Sequence, residues 1–171
     1  MFDKQYEFVG KHAEMVFALR SDSSGSDRPA ESLFSSFVDV YTIAPIVGFL
    51  YGRQAEPDKE STAKSRSIFA DTIIGKKNLL MLDYHLIMLL DDKASLDINE
   101  RVGRTFRESD ADLVEKNLVL FDKYVLGGVE VLFEKLIGTS KTEEERIGNM
   151  MDFVSEFNEM FNSTIDKDVS A

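Results

Sequence analysis

Between Asp39 and Arg53 lie thirteen consecutive residues without a charge, Val40 to Gly52. A bilayer span takes about twenty mainly apolar residues, so this run is too short to cross a membrane and the protein itself must bury it. Leu33, Phe34, Phe37, Val38, Tyr41 and Pro45 recur at helical spacing on its upstream side, the pattern of a helix that faces a core. Pro45 removes one backbone donor and presses on the carbonyl of Tyr41, which predicts a kink or a break there. Gly48 and Gly52, four apart, leave room for another helix to come close. The run therefore reads as the central helix of a soluble core rather than a ligand pocket. Ile43, Ile46, Val47 and Leu50 are expected to face neighbouring helices.

The remaining segments extend this to an all-α protein, an irregular bundle of about five to six helices. Phe2, Tyr6, Val9, Ala13, Val16 and Phe17 make a stripe that predicts an amphipathic helix over 3–19. The serine-, glycine- and aspartate-rich stretch near 20–31 has the composition of a flexible loop. Residues 66–78 are ambiguous between a short helix and extended structure. "LLMLDYHLIMLLDD" is apolar nearly all round and is expected in the middle of the bundle. Asp97 with Glu100, Ser109 with Asp112 and Thr142 with Glu145 each place an acid three residues after a capping residue, marking three helix starts. The first of these helices ends near Phe106. The second is long, near 109–137, with a seam of Val114, Leu118, Phe121, Val125, Leu132 and Leu136 and with Gly138 as C-cap. Gly127 and Gly128 inside it weaken the helix unless they serve close packing, and they are expected to face the helix around Gly48. The third carries Ile147, Met151, Val154, Phe157 and Phe161. These helices form one domain over 1–162, followed by a disordered tail, 163–171.

The chain's chemistry is defined largely by what is missing. It has no cysteine, which removes disulfides, thiolate metal sites and cysteine nucleophiles. His12 and His85 are the two histidines, and neither follows an acid at the spacing of a helical di-metal site. Asp83 and His85, two apart, point to different sides of a helix and cannot form a local dyad. The expectation is that His85 is a hydrogen-bonded structural residue and that Asp83 pairs with a cation from another helix. No phosphate-cradling glycine loop, zinc-binding helix motif or nucleophile elbow is present. The reading assigns no catalytic residue, no cofactor and no metal.

The charges carry more information. The net charge of -11 repels nucleic acid and anionic lipid and favours protein partners. From Thr139 onward three basic residues face eight acids, so the last helix is an acidic face. Arg101, Arg104 and Arg107 recur every three residues as a short basic ridge, the one candidate for an anion or partner contact. The scattered charges of "MFDKQYEFVGK" do not form a secretion signal, so a cytoplasmic location is expected.

"LFSSFVDVYTIAPIVGFLYGRQAE", "SIFADTII", "LIMLLDD" and "FDKYVLGGVEVLFEKL", taken in order, resemble the small helical proteins encoded beside bacterial DNA phosphorothioation (Dnd-type) defence systems. Asp39, Gly48, Phe49 and Arg53 match that group's first element, and Tyr124, Gly127 and Gly128 its second. The resemblance covers roughly 33–136. It implies an accessory role at a DNA-modification or mobile-element locus and brings no catalytic residue with it. The resulting expectation is a non-enzymatic helical interaction module that binds a protein, or a second copy of itself, through an acidic or apolar helix face. Direct nucleic-acid binding through the arginine ridge is the alternative, and an enzyme with a dispersed acidic site a more distant one.

Overall fold

Gly48 and Gly128 set the spacing at the centre of the molecule. They lie on α2 (Phe37–Leu50) and α6 (Ala111–Leu132), the most extensively packed pair of helices. A Cβ on Gly48 would overlap the backbone carbonyl of Tyr124, and one on Gly128 would overlap that of Ala44. The backbones touch directly, which is why two costly glycines are tolerated inside the long helix. Gly127 has a different neighbour from the one expected. Its Cβ would strike the Arg53 carbonyl, because the segment after α2 crosses α6 at that point, with the Ala55 amide donating to the Lys123 carbonyl over 3.0 Å.

The computed structural model describes residues 1–20, 33–58, 65–91, 96–107, 109–138, 140 and 142–168, with side chains described through Met160. The serine-rich stretch at 21–32 lies outside these residues, as do 169–171 of the expected tail. The order is β1 (Tyr6–Phe8), α1 (Gly10–Arg20), α2, β2 (Arg66–Ile68), α3 (Ala70–Gly75), α4 (Lys77–Leu90), α5 (Ile98–Phe106), α6, a π-helical turn (Phe133–Ile137) and α7 (Glu143–Asp168). The fold is an all-α bundle with seven α-helices among the described residues, more than the five to six expected, because 70–75 is helical in its own right.

α2 runs unbroken through Pro45, which is buried. It ends in a Schellman motif: Gly52 has φ +63°, and the Gly52 and Arg53 amides donate to the Phe49 and Gly48 carbonyls. Gly52 therefore terminates the helix, with open space where its Cβ would be, and does not admit a neighbouring helix. Of the four residues expected to face neighbouring helices, Val47 is buried, Ile46 and Leu50 are half-buried and Ile43 is 44% exposed, whereas Val40, Tyr41, Ala44 and Gly48 are buried.

The first helix starts later than its hydrophobic stripe suggests. Tyr6–Phe8 is a short strand paired antiparallel with Arg66–Ile68, with Tyr6 opposite Ile68. Gly10 at φ +57° makes the turn into α1 and allows the chain to pass against Asp58. Leu19, not Phe17, completes the buried face; Phe17 lies on the surface under the Arg66 guanidinium, 4.5 Å from its ring centroid.

Two of the three expected caps are present. Asp97 and Glu100 form a capping box, and Thr142 and Glu145 exchange the same pair of bonds at 3.2 and 3.3 Å. The cap of α6 is Asp110, one residue after Ser109, and it accepts from the Asp112 and Leu113 amides. Gly138, at φ +47°, closes the π-helical turn by donating to the Phe133 carbonyl. α7 continues to Asp168, well past the boundary expected at 162; a helix already nucleated propagates through middling formers such as Asn162 and Ser163. Its inward residues are Phe153 and Phe157, whereas Ile147, Met151 and Val154 are exposed. The apolar face is thus rotated from the expected one.

Candidate functional site

α4 has two apolar faces, and the protein covers one of them. Leu80, Tyr84, Ile87 and Met88 are buried in the core. Leu79, Leu82, Leu86 and Leu90 form a separate row at steps of three, four and four, exposed by 45, 53, 40 and 52% respectively. This corrects the expectation of a helix buried on all sides: α2, α5 and α6 pack on the inner side only. Ile74, just before α4, and Phe106 of α5, whose ring lies 4.9 Å from that of His85, are exposed to a similar degree. Asp83 sits where the two faces meet. It is buried, its Oδ2 has no hydrogen-bond partner, and burial pushes its carboxyl up to about 6. Among the described residues no cation from another helix pairs with it. His85 is half-buried between the rings of Tyr84 and Phe106.

The arginine ridge is divided by the fold. Arg104 turns inward and donates to the Met88 and Asp91 carbonyls, with its Nη1 3.7 Å from Asp91 Oδ2. It neutralises the C-terminal end of α4, where carbonyls lack helical partners. Asp91 in turn accepts from the Tyr124 hydroxyl over 2.8 Å, so this arginine is part of the α4–α6 contact. Arg101 is half-buried with an unpartnered Nε, and Arg107 is exposed. The three guanidinium groups do not form one anion-binding surface.

A charged network that sequence reasoning missed joins α1, the segment after α2, and α6. Glu130, one turn beyond the Gly127 crossing, takes Lys11 Nζ at 2.7 Å, His12 Nε2 at 3.2 Å and Arg53 Nη1 at 3.3 Å. Arg53 also forks onto Glu134 at 3.1 and 3.2 Å. Burial pushes the Glu130 carboxyl up, but Lys11 and His12 more than reverse that and hold it below its ordinary value. Burial lowers His12, against the opposing pull of Glu130. Every member has a partner, and the network's effect is to tie three elements together. Among the described residues no three His, Asp or Glu side chains converge as a metal site, and no helix is long and apolar enough to cross a membrane.

No family model, curated protein or solved structure matches the chain. The resemblance to proteins encoded beside phosphorothioation loci therefore rests on the quoted stretches alone.

Proposed function

We propose that the protein is a helical interaction module without catalytic activity, and that its interaction face is the outer row of α4, docked on the same row of a second copy. The observation that carries this is the unpartnered line of Leu79, Leu82, Leu86 and Leu90 on a helix whose other face is already buried. Steps of three and four are the seam spacing of a two-helix contact. The charges favour an antiparallel, two-fold arrangement. Lys76 and Lys77 stand at the N-terminal end of α4, where the helix dipole disfavours cations; in the antiparallel pair each would lie beside the partner's C-terminal end. Leu79 then meets Leu90, and Leu82 meets Leu86, about a common midpoint. A stable dimer buries about 800 Å² per partner, which calls for the flanking Ile74 and Phe106 as well as the leucines. Direct DNA recognition is not part of this reading, since Arg104 is already engaged within the fold.

Light scattering of the wild type and of Leu82→Lys tests the proposal. The wild type is expected to be dimeric at micromolar concentration, and the variant monomeric with unchanged helical content by circular dichroism. A wild type that stays monomeric at high concentration, or a dimer indifferent to the lysine, would overturn it.

A further inference from the structure

α7 carries an apolar strip on the side turned away from the core. Phe153 and Phe157 hold the helix to the rest of the protein. Phe153 stacks on Tyr51 with ring centroids 6.3 Å apart, and Lys135 of the π-helical turn reaches Glu156 at 2.7 Å. Beyond that contact lie Ile147, Met150, Met151 and Val154, between 40 and 67% exposed. Steps of three and four align them along two turns of the helix, and the described residues leave all four open to water.

The charges beside this strip are almost all of one sign. Among the side chains described on α7, six acids stand against one base, the half-buried Arg146. Glu144, seven residues before Met151, lies in line with it along the helix. Asp152 and Glu159, seven apart, run along the flank beyond Met151, opposite the side that Phe153 anchors. All three are exposed, and none forms an ion pair with the described residues. The leucine row of α4 has the reverse setting: Lys76 and Lys77 stand at one end of it, and the one acid within that helix, Asp83, is buried.

These charges decide what can lie on the strip. A second copy of α7 would set acid against acid. Nucleic acid and anionic lipid are repelled for the same reason. A neutral apolar helix would cover the strip but draw water from the acids beside it without replacing that water by a counter-charge. A helix with lysines or arginines beside its apolar residues meets both demands. We propose that the outer face of α7 docks a basic amphipathic helix of another protein, with that helix's apolar residues on Ile147, Met151 and Val154 and its cations beside Glu144, Asp152 and Glu159. Met150 and Met151 are unbranched and adapt to apolar side chains of different shape. Two turns of helix, about 10 Å, make a small footprint, so the complex is weak and its formation is sensitive to salt. The face is separate from the α4 row and stands or falls independently of the dimer.

The probe is a fluorescently labelled peptide of about 18 residues, long enough to form a helix, with leucines at steps of three and four and lysines elsewhere. In one counterpart glutamate replaces every lysine, and in a second serine replaces every leucine. Fluorescence anisotropy at physiological salt is expected to give a Kd of about 10 to 100 μM for the lysine–leucine peptide, and binding at least about tenfold weaker for either counterpart. On the protein, Met151→Ser with Val154→Ser, and separately Asp152→Lys with Glu159→Lys, should each weaken binding about tenfold. Glu14→Lys with Asp71→Lys makes the same change of charge at exposed positions of α1 and α3 and should leave it within about twofold. The three peptides are compared on the wild type, so that arm holds even if a variant folds poorly. The proposal is overturned if the serine peptide binds as well as the leucine peptide, if the α1 and α3 substitutions weaken binding as much as those on α7, or if no saturable binding appears up to about 1 mM. Loss of binding in Leu82→Lys would place the peptide on the α4 row, and a dimer dissociated by Met151→Ser with Val154→Ser would make a second copy the occupant; either result equally overturns it.

Discussion

Glu130 and Asp122 lie on the same helix about two turns apart, one buried and the other half-buried, and their carboxyl groups are driven in opposite directions. Glu130 sits below its ordinary value because Lys11 and His12 outweigh its burial, and Arg53 approaches it from the segment after α2. Asp122 sits far above, at about 7, because partial burial disfavours its charged form and no hydrogen bond or ion pair among the described residues offsets that. The difference teaches that burial of an acid on α6 carries no functional meaning by itself; what the other elements bring to it decides. Around Glu130 the fold supplies the counter-charges and the result is a structural tie. Around Asp122 it supplies a cleft whose cations, at Met1 and Lys4, make no ion pair with it, and partial burial alone raises its carboxyl.

The most damaging change is expected to break both regions together. Gly128 fixes the distance between α2 and α6, and that distance brings Arg53 to Glu130 and Tyr41 to the Asp122 cleft. In Gly128→Ala the new methyl group lands on the Ala44 carbonyl, backbone that cannot rotate away. The gain in helix propensity, about 1 kcal/mol, is outweighed, and a net loss of about 3 kcal/mol is expected. It would appear as a fall of about 10 °C in thermal midpoint. An unchanged midpoint would mean the helices can separate at no cost, and the shared frame behind the comparison would fail.

Glu130→Ala removes one side of the contrast. His12, fully buried, loses its hydrogen-bond partner, while Lys11 and Arg53, about half exposed, recover water, so the full cost of breaking a buried pair is not reached. A loss of about 2 kcal/mol in urea-induced unfolding is expected. A variant as stable as wild type would show that the network is a surface ornament and that Glu130 and Asp122 do not differ in structural role.

The smallest effect carries the sign that separates them. Asp122 titrates near 7 folded and near 3.8 unfolded, so between about pH 4 and 7 the folded state holds a proton the unfolded state has lost. Its contribution therefore falls as pH rises through that window, by up to about 1.4 kcal/mol per unit. Asp83, raised to about 6, acts in the same direction over a narrower range. His12, lowered from 6.5, does the reverse: its contribution grows as pH climbs toward 6.5. Asp122→Asn should therefore be more stable than wild type by about 1 to 2 kcal/mol at pH 8 and gain little at pH 4.5. Urea midpoints at the two pH values check this, and equal gains at both would place Asp122 in ordinary solvent.

Much of the fold was legible because the signals involved are local. The capping boxes at Asp97 and Thr142 each depend on two residues three apart, and the cap at Gly138 on one residue free to take positive φ. The pairing of Gly48 with Gly128 could be anticipated because a glycine inside a long helix costs stability unless something lies against it. The strand at Tyr6–Phe8 was not legible: three residues have no period of their own, and their partner is sixty residues away at Arg66–Ile68. Asp110 in place of Ser109 as the cap reflects two adjacent residues of nearly equal capping strength.

By itself, the sequence determined that the chain is helical, where most helices begin and end, and that α2 and α6 must touch through glycine. It also determined that α4 has more apolar surface than one face of a helix requires. Only the tertiary structure decided which leucines of α4 stay uncovered, which arginine of the ridge turns inward, and which acid of α6 meets cations. Helix period and capping act over a few residues of one segment. The charge state of Asp122, and the cleft it closes with Tyr6 and Tyr41, depend on side chains from three segments far apart in the chain, which only their packing brings together.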